Sequence, residues 1–332
     1  MRKVLYLSLG TEEAYDILRR AMSPGYSLVT LAENSDAECR AKIQDAEVVI
    51  VGAISLTGEL IAAARNLRLV HHQGVGYQDT VDIAALSARG IPLALAPEGT
   101  TTVAEHTVLL ILATLRRLSY ADSELRAGRW HIASLRPVSR TLAGSTIGYI
   151  GMGRIGKAVA ERLKSFDTRG LYFNTVSLSP RQESELNIRA APLADVLSEA
   201  DIVTLHVPAT SATRHLIDAQ ALARMKPGSF LVNTARGCLV DEGALYSALV
   251  SGRIAGAGMD VFETEPPFGS PLLALPNVVV TPHIAAGTRD ALTEKTRAIF
   301  ANIDRFFRGE PLNNTVALQR VLRLGRTQIL DH

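Results

Sequence analysis

Thr146-Ile-Gly-Tyr-Ile-Gly151-Met-Gly153-Arg-Ile-Gly156 runs directly into Lys157-Ala-Val-Ala-Glu-Arg-Leu. An apolar run of strand type ends in three glycines at G-x-G-x-x-G spacing, and a helical pattern begins at the third. Each glycine has its own task in such a turn. Gly151 permits the tight bend from strand to helix, Gly153 lets the backbone approach a pyrophosphate, and Gly156 lets the helix pack close to the sheet. The new helix N-terminus adds N–H groups and partial positive charge, which suit phosphate. A lone G-x-G-x-x-G is a weak signal, but the strand–turn–helix context gives this one meaning. The stretch predicts a dinucleotide site.

Strand and helix signals alternate on both sides of this turn. Before it, strand-like runs at Val4–Leu9, Val48–Val51, Leu67–His71 and Pro92–Ala96 alternate with helical patterns at Glu12–Met22, Gly58–Arg65 and Val81–Ala88. A long helix is expected from Val103 to Leu118; apolar residues cover most of its faces, which predicts burial between domains. After the turn come strand candidates Ile147–Ile150, Gly170–Phe173, Ile202–Leu205, Ser229–Asn233, Gly256–Met259 and Val278–Val280, then a helix from Thr288 to Phe307. Repeated strand–helix–strand units predict two doubly wound parallel sheets, with ligands at the carboxyl ends of the strands. The last helix is placed to return to the first domain, which would make that domain discontinuous.

Composition narrows the partners. At 332 residues the chain has room for two domains, and 47% hydrophobic residues with 20% charged ones suit a globular protein with a large core. Basic and acidic side chains number 35 and 33, with no basic block, so neither nucleic acid nor an anionic membrane is expected as partner. Cys39 and Cys238 have no metal or redox spacing, and His71-His72 lack acidic or cysteine companions, so no metal site is expected. Met1-Arg-Lys-Val-Leu-Tyr-Leu reads as a first strand, not a signal segment, and no apolar run approaches the length of a membrane span, so a cytoplasmic location is expected.

Three polar residues follow strand-like runs of the second half: Arg236 after Ser229–Asn233, Glu265 after Gly256–Met259, and His283 after Val278–Val280. Neighbouring parallel strands deliver such residues to one crevice. Together they suit hydride transfer to a carbonyl. A histidine donates the proton to the developing alkoxide, and a carboxylate on its other nitrogen fixes the tautomer. An arginine grips a substrate carboxylate with its planar fork.

With these residues in place, the chain resembles the D-isomer-specific 2-hydroxyacid dehydrogenase family. The matching segments are Gly151-Met-Gly-Arg-Ile-Gly156, Met225-Lys-Pro-Gly-Ser-Phe-Leu-Val-Asn-Thr-Ala-Arg-Gly237, Leu239-Val-Asp-Glu242, Gly258-Met-Asp-Val-Phe-Glu-Thr-Glu-Pro266 and Leu275-Pro-Asn-Val-Val-Val-Thr-Pro-His283. Gly74-Val-Gly76 and Val103-Ala-Glu-His106-Thr carry the likeness into the first half. The resemblance implies a Rossmann cofactor domain over 99–286, inserted in a flavodoxin-like substrate domain made of 1–98 and 287–332. It implies Arg236 as carboxylate binder, His283 as acid/base and Glu265 as its orienting partner. Cofactor contacts would come from Gly151, Gly153, Arg154, Ile155, Gly156, Asn174, His206, Pro208, Thr234 and Asp260. The N–H groups of Val75 and Gly76 would hold the substrate carboxylate. A homodimer and a small 2-oxo or D-2-hydroxy acid substrate follow from the same likeness, with glyoxylate or hydroxypyruvate favoured.

Some readings stay open. His206 either lines an adenine pocket or is a core histidine; His106 reads as structural; Asp260 reads as a cofactor contact or as a cap; Trp130 and Tyr77 read as surface anchors or substrate contacts. Relatives commonly carry an acidic residue where this chain has Asn174, which lacks the charge that repels a 2′-phosphate, so NADP is favoured slightly over NAD. The stretch Pro97-Glu-Gly99-Thr lacks an asparagine common in relatives, and the loop Gly76–Asp82 is one residue longer, which leaves the substrate open. Alternatives are a dinucleotide-sensing binding protein of the same fold and a formate- or phosphite-type dehydrogenase. Formate oxidation needs no acid/base pair, and phosphite-oxidising relatives carry a lysine in the Gly74–Tyr77 loop. A phosphoglycerate dehydrogenase of the long type, with its extra regulatory domain, is not expected at this length, though short forms exist.

Overall fold

The computed structural model describes residues 1–318; the remainder of the expected substrate domain, 319–332, lies outside the described residues. The chain divides into two compact units, one containing Met1–Gly99 and the chain from Thr288 onward, the other Thr100–Gly287. Among the described residues each unit holds one sheet, and every strand pair in both is parallel.

In the first unit the strands are β1 (Arg2–Leu7), β2 (Tyr26–Val29), β3 (Val48–Val51), β4 (Leu69–His72) and β5 (Leu93–Leu95). Their order is β2-β1-β3-β4-β5, the flavodoxin-like doubly wound arrangement. A strand covered on both faces reads as an unbroken apolar run, because alternate residues enter different cores. Leu5 and Leu7 enter one core with Val49, Val51, Ile43 and Ile61. Val4 and Tyr6 enter the other, where Ile299, Phe300 and Ile303 of the helix Arg289–Phe307 complete it. Thr288 caps that helix by accepting from Ala291 N–H, which fixes where the returning chain turns helical.

The second unit contains β6 (Thr146–Ile150), β7 (Arg169–Phe173), β8 (Ile188–Ala190), β9 (Ile202–Leu205), β10 (Ser229–Asn233), β11 (Ile254–Met259) and β12 (Val278–Val280). The order β12-β11-β10-β9-β6-β7-β8 is the Rossmann winding, and the strand order reverses between β6 and β9. The helix Thr100–Leu115 lies over β10–β12, with Leu110 and Ile111 packed among Ile147, Phe230, Val232 and Val279. Its approach is close: a Cβ at Gly258 would stand 2.8 Å from Thr114 Oγ1 and 3.2 Å from Leu110 Cβ. The single helix expected to Leu118 stops three residues earlier. Arg117 takes a left-handed φ of 51°, and a separate helix Leu118–Arg126 follows. No helix of the described residues is long and apolar enough to cross a membrane.

Candidate active site

The glycine turn lies at the reversal point of the second sheet. Gly151 has φ +97°, and a Cβ there would stand 2.6 Å from the backbone carbonyl of His206. The loops after β6 and β9 therefore touch backbone to backbone, which only glycine permits. Gly156 is equally confined, 2.4 Å from Gly151 O, so the helix Arg154–Leu163 starts hard against the turn. Gly153 differs: nothing lies within 4 Å of its added Cβ. It is the N-cap of that helix and brings no side-chain hydrogen bond to the first turn. Open space beside the first-turn N–H groups fits a pyrophosphate. The residues present thus fit a dinucleotide on an observation of their own geometry.

Around this cradle, Asn174 follows β7; its Oδ1 accepts from Met152 N–H at 3.3 Å and its Nδ2 donates to Val176 O at 2.8 Å. His206 follows β9. Burial pushes its pKa down to about 3, so it is neutral at physiological pH, with Nε2 3.1 Å from Thr204 Oγ1. Pro208 is exposed just beyond it.

Arg236, Glu265 and His283 come from the loops after β10, β11 and β12, three adjacent strands. The Asn233–Gly237 loop shows how one sequence sets one side chain. Buried Asn233 accepts from Ala235 N–H and donates to Arg236 O, closing the turn with its own amide. Gly237 lets this turn lie on the next loop: a Cβ there would fall 1.8 Å from Phe262 C. Phe262 N–H in turn donates to Glu265 Oε1 at 3.0 Å.

Glu265 Oε2 lies 2.8 Å from His283 Nδ1. Burial works against the Glu265 carboxylate, but the bonds from His283 and Phe262 N–H, with the charge of Arg236 nearby, outweigh it and hold its pKa below the usual range. A carboxylate only accepts, so Nδ1 carries hydrogen and Nε2 is the nitrogen left for a reacting oxygen. His283 is half exposed, which leaves that nitrogen reachable. Its backbone sits at φ 51°, with its N–H donating to Asp260 O at 2.7 Å.

Asp260 is fully buried. Its Oδ1 accepts from the Thr281 hydroxyl at 2.6 Å and Ile284 N–H at 2.9 Å, and its Oδ2 from Ala285 N–H at 2.9 Å. Desolvation opposes the charge, yet these donors and His106 hold the carboxylate below its ordinary pKa. These bonds tie Asp260 to the His283 loop at Thr281, Ile284 and Ala285. Thr234 is bonded to Thr107 at 2.8 Å. Val75 and Gly76 belong to the other unit, on the loop after β4. The holding residues Asn233, Gly237, Thr107 and His106 carry no chemistry of their own, and sequence reading left their part unassigned.

Residues 108–285 match the D-isomer specific 2-hydroxyacid dehydrogenase family at its NAD binding domain. The chain belongs to this family. It is 42% identical to a glyoxylate reductase of Korarchaeum cryptofilum over 265 residues, covering 79% of each chain. It is 36% identical to a D-3-phosphoglycerate dehydrogenase of Archaeoglobus fulgidus over 322 residues, 96% of this chain but 60% of that relative's length. Among solved structures, a Granulicella formate dehydrogenase superposes with a TM-score of 0.85 at 27% identity, covering 95% of this chain and 96% of the other. The family's NAD binding domain falls within the second unit.

Proposed function

We propose that this protein is an NAD(P)-dependent reductase of small 2-oxo acids, acting reversibly on D-2-hydroxy acids, with glyoxylate or hydroxypyruvate as the favoured substrates. The observation that carries the reading is the 2.8 Å His283–Glu265 pair, with Arg236 close enough to lower the Glu265 pKa. When bound, the nicotinamide supplies or accepts the hydride. The pyrophosphate is held by the Gly151–Gly156 turn and the N–H groups of Arg154 and Ile155. His206, Pro208, Thr234 and Asp260 border the rest of the dinucleotide site. Arg236 binds the acid's carboxylate through its fork and draws charge from the neighbouring carbonyl. His283 Nε2 delivers a proton to the carbonyl oxygen as charge builds there, and takes it back in reverse. Glu265 keeps the ring turned, with Nε2 left for the substrate oxygen. In this reading residues 1–98 and 287–332 form the substrate domain and 99–286 the cofactor domain.

Two relatives bear the names of different acids, and the glyoxylate reductase is the more identical of the two, at 42% against 36%. Formate oxidation moves no proton at a substrate oxygen, so it would leave the Glu265–His283 pair without a task. Asn174 places an amide where a carboxylate would repel a 2′-phosphate, which supports NADP slightly over NAD. A second copy of the chain is the proposed partner. The helices Leu118–Arg126 and Ile132–Leu135 bury none of their residues and leave Leu118, Leu125 and Ile132 exposed, with Trp130 exposed in the segment between them.

Initial rates with NADH and NADPH against glyoxylate, hydroxypyruvate, pyruvate and bulkier 2-oxo acids test the reading. Turnover is expected with the small acids. His283→Ala should lose orders of magnitude in kcat while cofactor affinity survives. Tight cofactor binding without turnover on any acid would overturn the proposal in favour of a dinucleotide-sensing protein.

A further inference from the structure

His106 and Thr107 are consecutive residues on the helix Thr100–Leu115, and each is bonded to a threonine on a different catalytic loop. His106 Nε2 lies 3.0 Å from Thr281 Oγ1, two residues before His283. Thr107 Oγ1 lies 2.8 Å from Thr234 Oγ1, two residues before Arg236. The remaining partners fix the direction of both bonds. The Thr281 hydroxyl donates to the Asp260 carboxylate at 2.6 Å, so towards His106 it accepts, and His106 carries its hydrogen on Nε2. The Thr107 hydroxyl donates to Val103 O at 2.8 Å, so it accepts from Thr234.

We propose that His106 and Thr107 are positioning residues: His106 sets the loop that carries His283, and Thr107 sets the loop that carries Arg236. The inference rests on the acid/base and carboxylate-binding roles proposed above. The route from His106 is continuous. Its N–H fixes the Thr281 hydroxyl on Asp260 Oδ1, itself 3.5 Å from His106 Nε2. Asp260 then binds Ile284 and Ala285 N–H through its side chain and His283 N–H through its backbone oxygen. Three consecutive N–H groups around the left-handed His283 are thus held by one residue, two of them by its carboxylate, and His106 orients the hydroxyl that shares that carboxylate. On the other side, Thr234 stands inside the turn closed by Asn233, so anchoring it to Thr107 fixes the turn's height over the sheet. One rigid helix holds the proton donor and the carboxylate binder at a set spacing, and a loss of about 1 Å there costs on the order of a hundredfold in rate.

The two roles predict opposite kinetic signatures. His106→Leu should lower kcat on the order of tenfold while the KM of the acid stays near wild type, because one unmade buried hydrogen bond is worth about a factor of ten. His106→Gln, whose amide N–H can replace the Nε2 donor, should recover most of it. Thr107→Val should raise the KM of the acid by a similar factor with kcat less affected, and Thr107→Ser should restore it. Thr114→Val on the same helix is the control: its buried hydroxyl has no hydrogen-bond partner, so both constants should hold. Equal losses in kcat and KM for both residues, no rescue by Gln or Ser, or the same loss at Thr114 would overturn the proposal. Nitrogen-15 histidine spectra judge the placement without turnover. They should show His106 with hydrogen on Nε2, and a hydrogen-bonded His283 Nδ1 proton that weakens in His106→Leu but not in Thr114→Val. A His106 hydrogen on Nδ1, or an unchanged His283 signal, would refute it even if every acid tried were the wrong one.

Discussion

Gly237→Ala is a sharp test of how the site is assembled. The added Cβ would lie 1.8 Å from Phe262 C, 2.0 Å from Phe262 O and 2.4 Å from Glu263 N, all backbone atoms without a rotamer to yield. Opening 1.8 Å to the 3.0 Å that Cβ contacts require displaces one of the two loops by more than about 1 Å, and a shift of that size at a catalytic group costs on the order of a hundredfold. Either loop matters: moving one drags Arg236, and moving the other pulls Phe262 N–H from Glu265, and with it the partner of His283. The expected result is a fall in kcat/KM of roughly a hundredfold, about 2.7 kcal/mol of transition-state stabilisation. Steady-state rates with the preferred acid measure it, and a fluorescence titration with the reduced cofactor checks that the distant Gly151–Gly156 turn still binds. A folded, cofactor-binding variant within threefold of wild type would refute the idea that backbone contact between these loops sets the catalytic geometry.

Gly153→Ala should do the reverse: the open space around its Cβ leaves the melting temperature nearly unchanged, while the methyl group intrudes on the pyrophosphate and weakens the cofactor's Kd at least about tenfold. Unchanged cofactor affinity would remove Gly153 from the cradle. Asn174→Asp should raise the ratio of kcat/KM for NADH over NADPH, and an unaltered ratio would take this residue out of cofactor choice. His71 is fully buried, and burial pushes its pKa down from 6.5 to about 4. Its folded pKa is therefore depressed, so the stability it contributes is present above pH 6.5 and is lost as pH falls towards 4, by about 3 kcal/mol. Urea titrations over that range should show a shallower pH dependence for His71→Gln; an identical slope would assign the acid sensitivity elsewhere.

The central strands were legible because both their faces are buried. Val48-Val-Ile-Val51 is four apolar residues with no exposed position, and its sequence shows it. The strands that sequence reading left out, β2 and β8, are the edges of their sheets. Tyr26–Val29 has one buried residue in four and Ile188–Ala190 one in three, so neither leaves a run. The helix Asp36–Ile43 was also passed over because only Cys39 and Ile43 are buried, although Ser35 three residues before Glu38 is the spacing of an N-terminal cap. At the site, Arg236, Glu265 and His283 were visible as polar residues closing apolar runs. The positions of Thr107 and His106 over those loops were not, since their bonds reach 127 residues to Thr234 and 175 residues to Thr281. Nothing local marks a residue whose partner is that distant.

The route of the chain has a consequence for synthesis. The first sheet is written in the first hundred residues, but one of its cores needs Ile299, Phe300 and Ile303, which lie beyond the whole second unit. A nascent chain leaving the ribosome therefore holds Val4, Tyr6 and Ile50 without their cover until some two hundred further residues have emerged, about 10–40 s at ordinary elongation rates. The second unit, continuous in sequence, has everything it needs before then. The order of birth and the order of completion are inverted, and the early sheet spends that interval as the surface most in need of a chaperone.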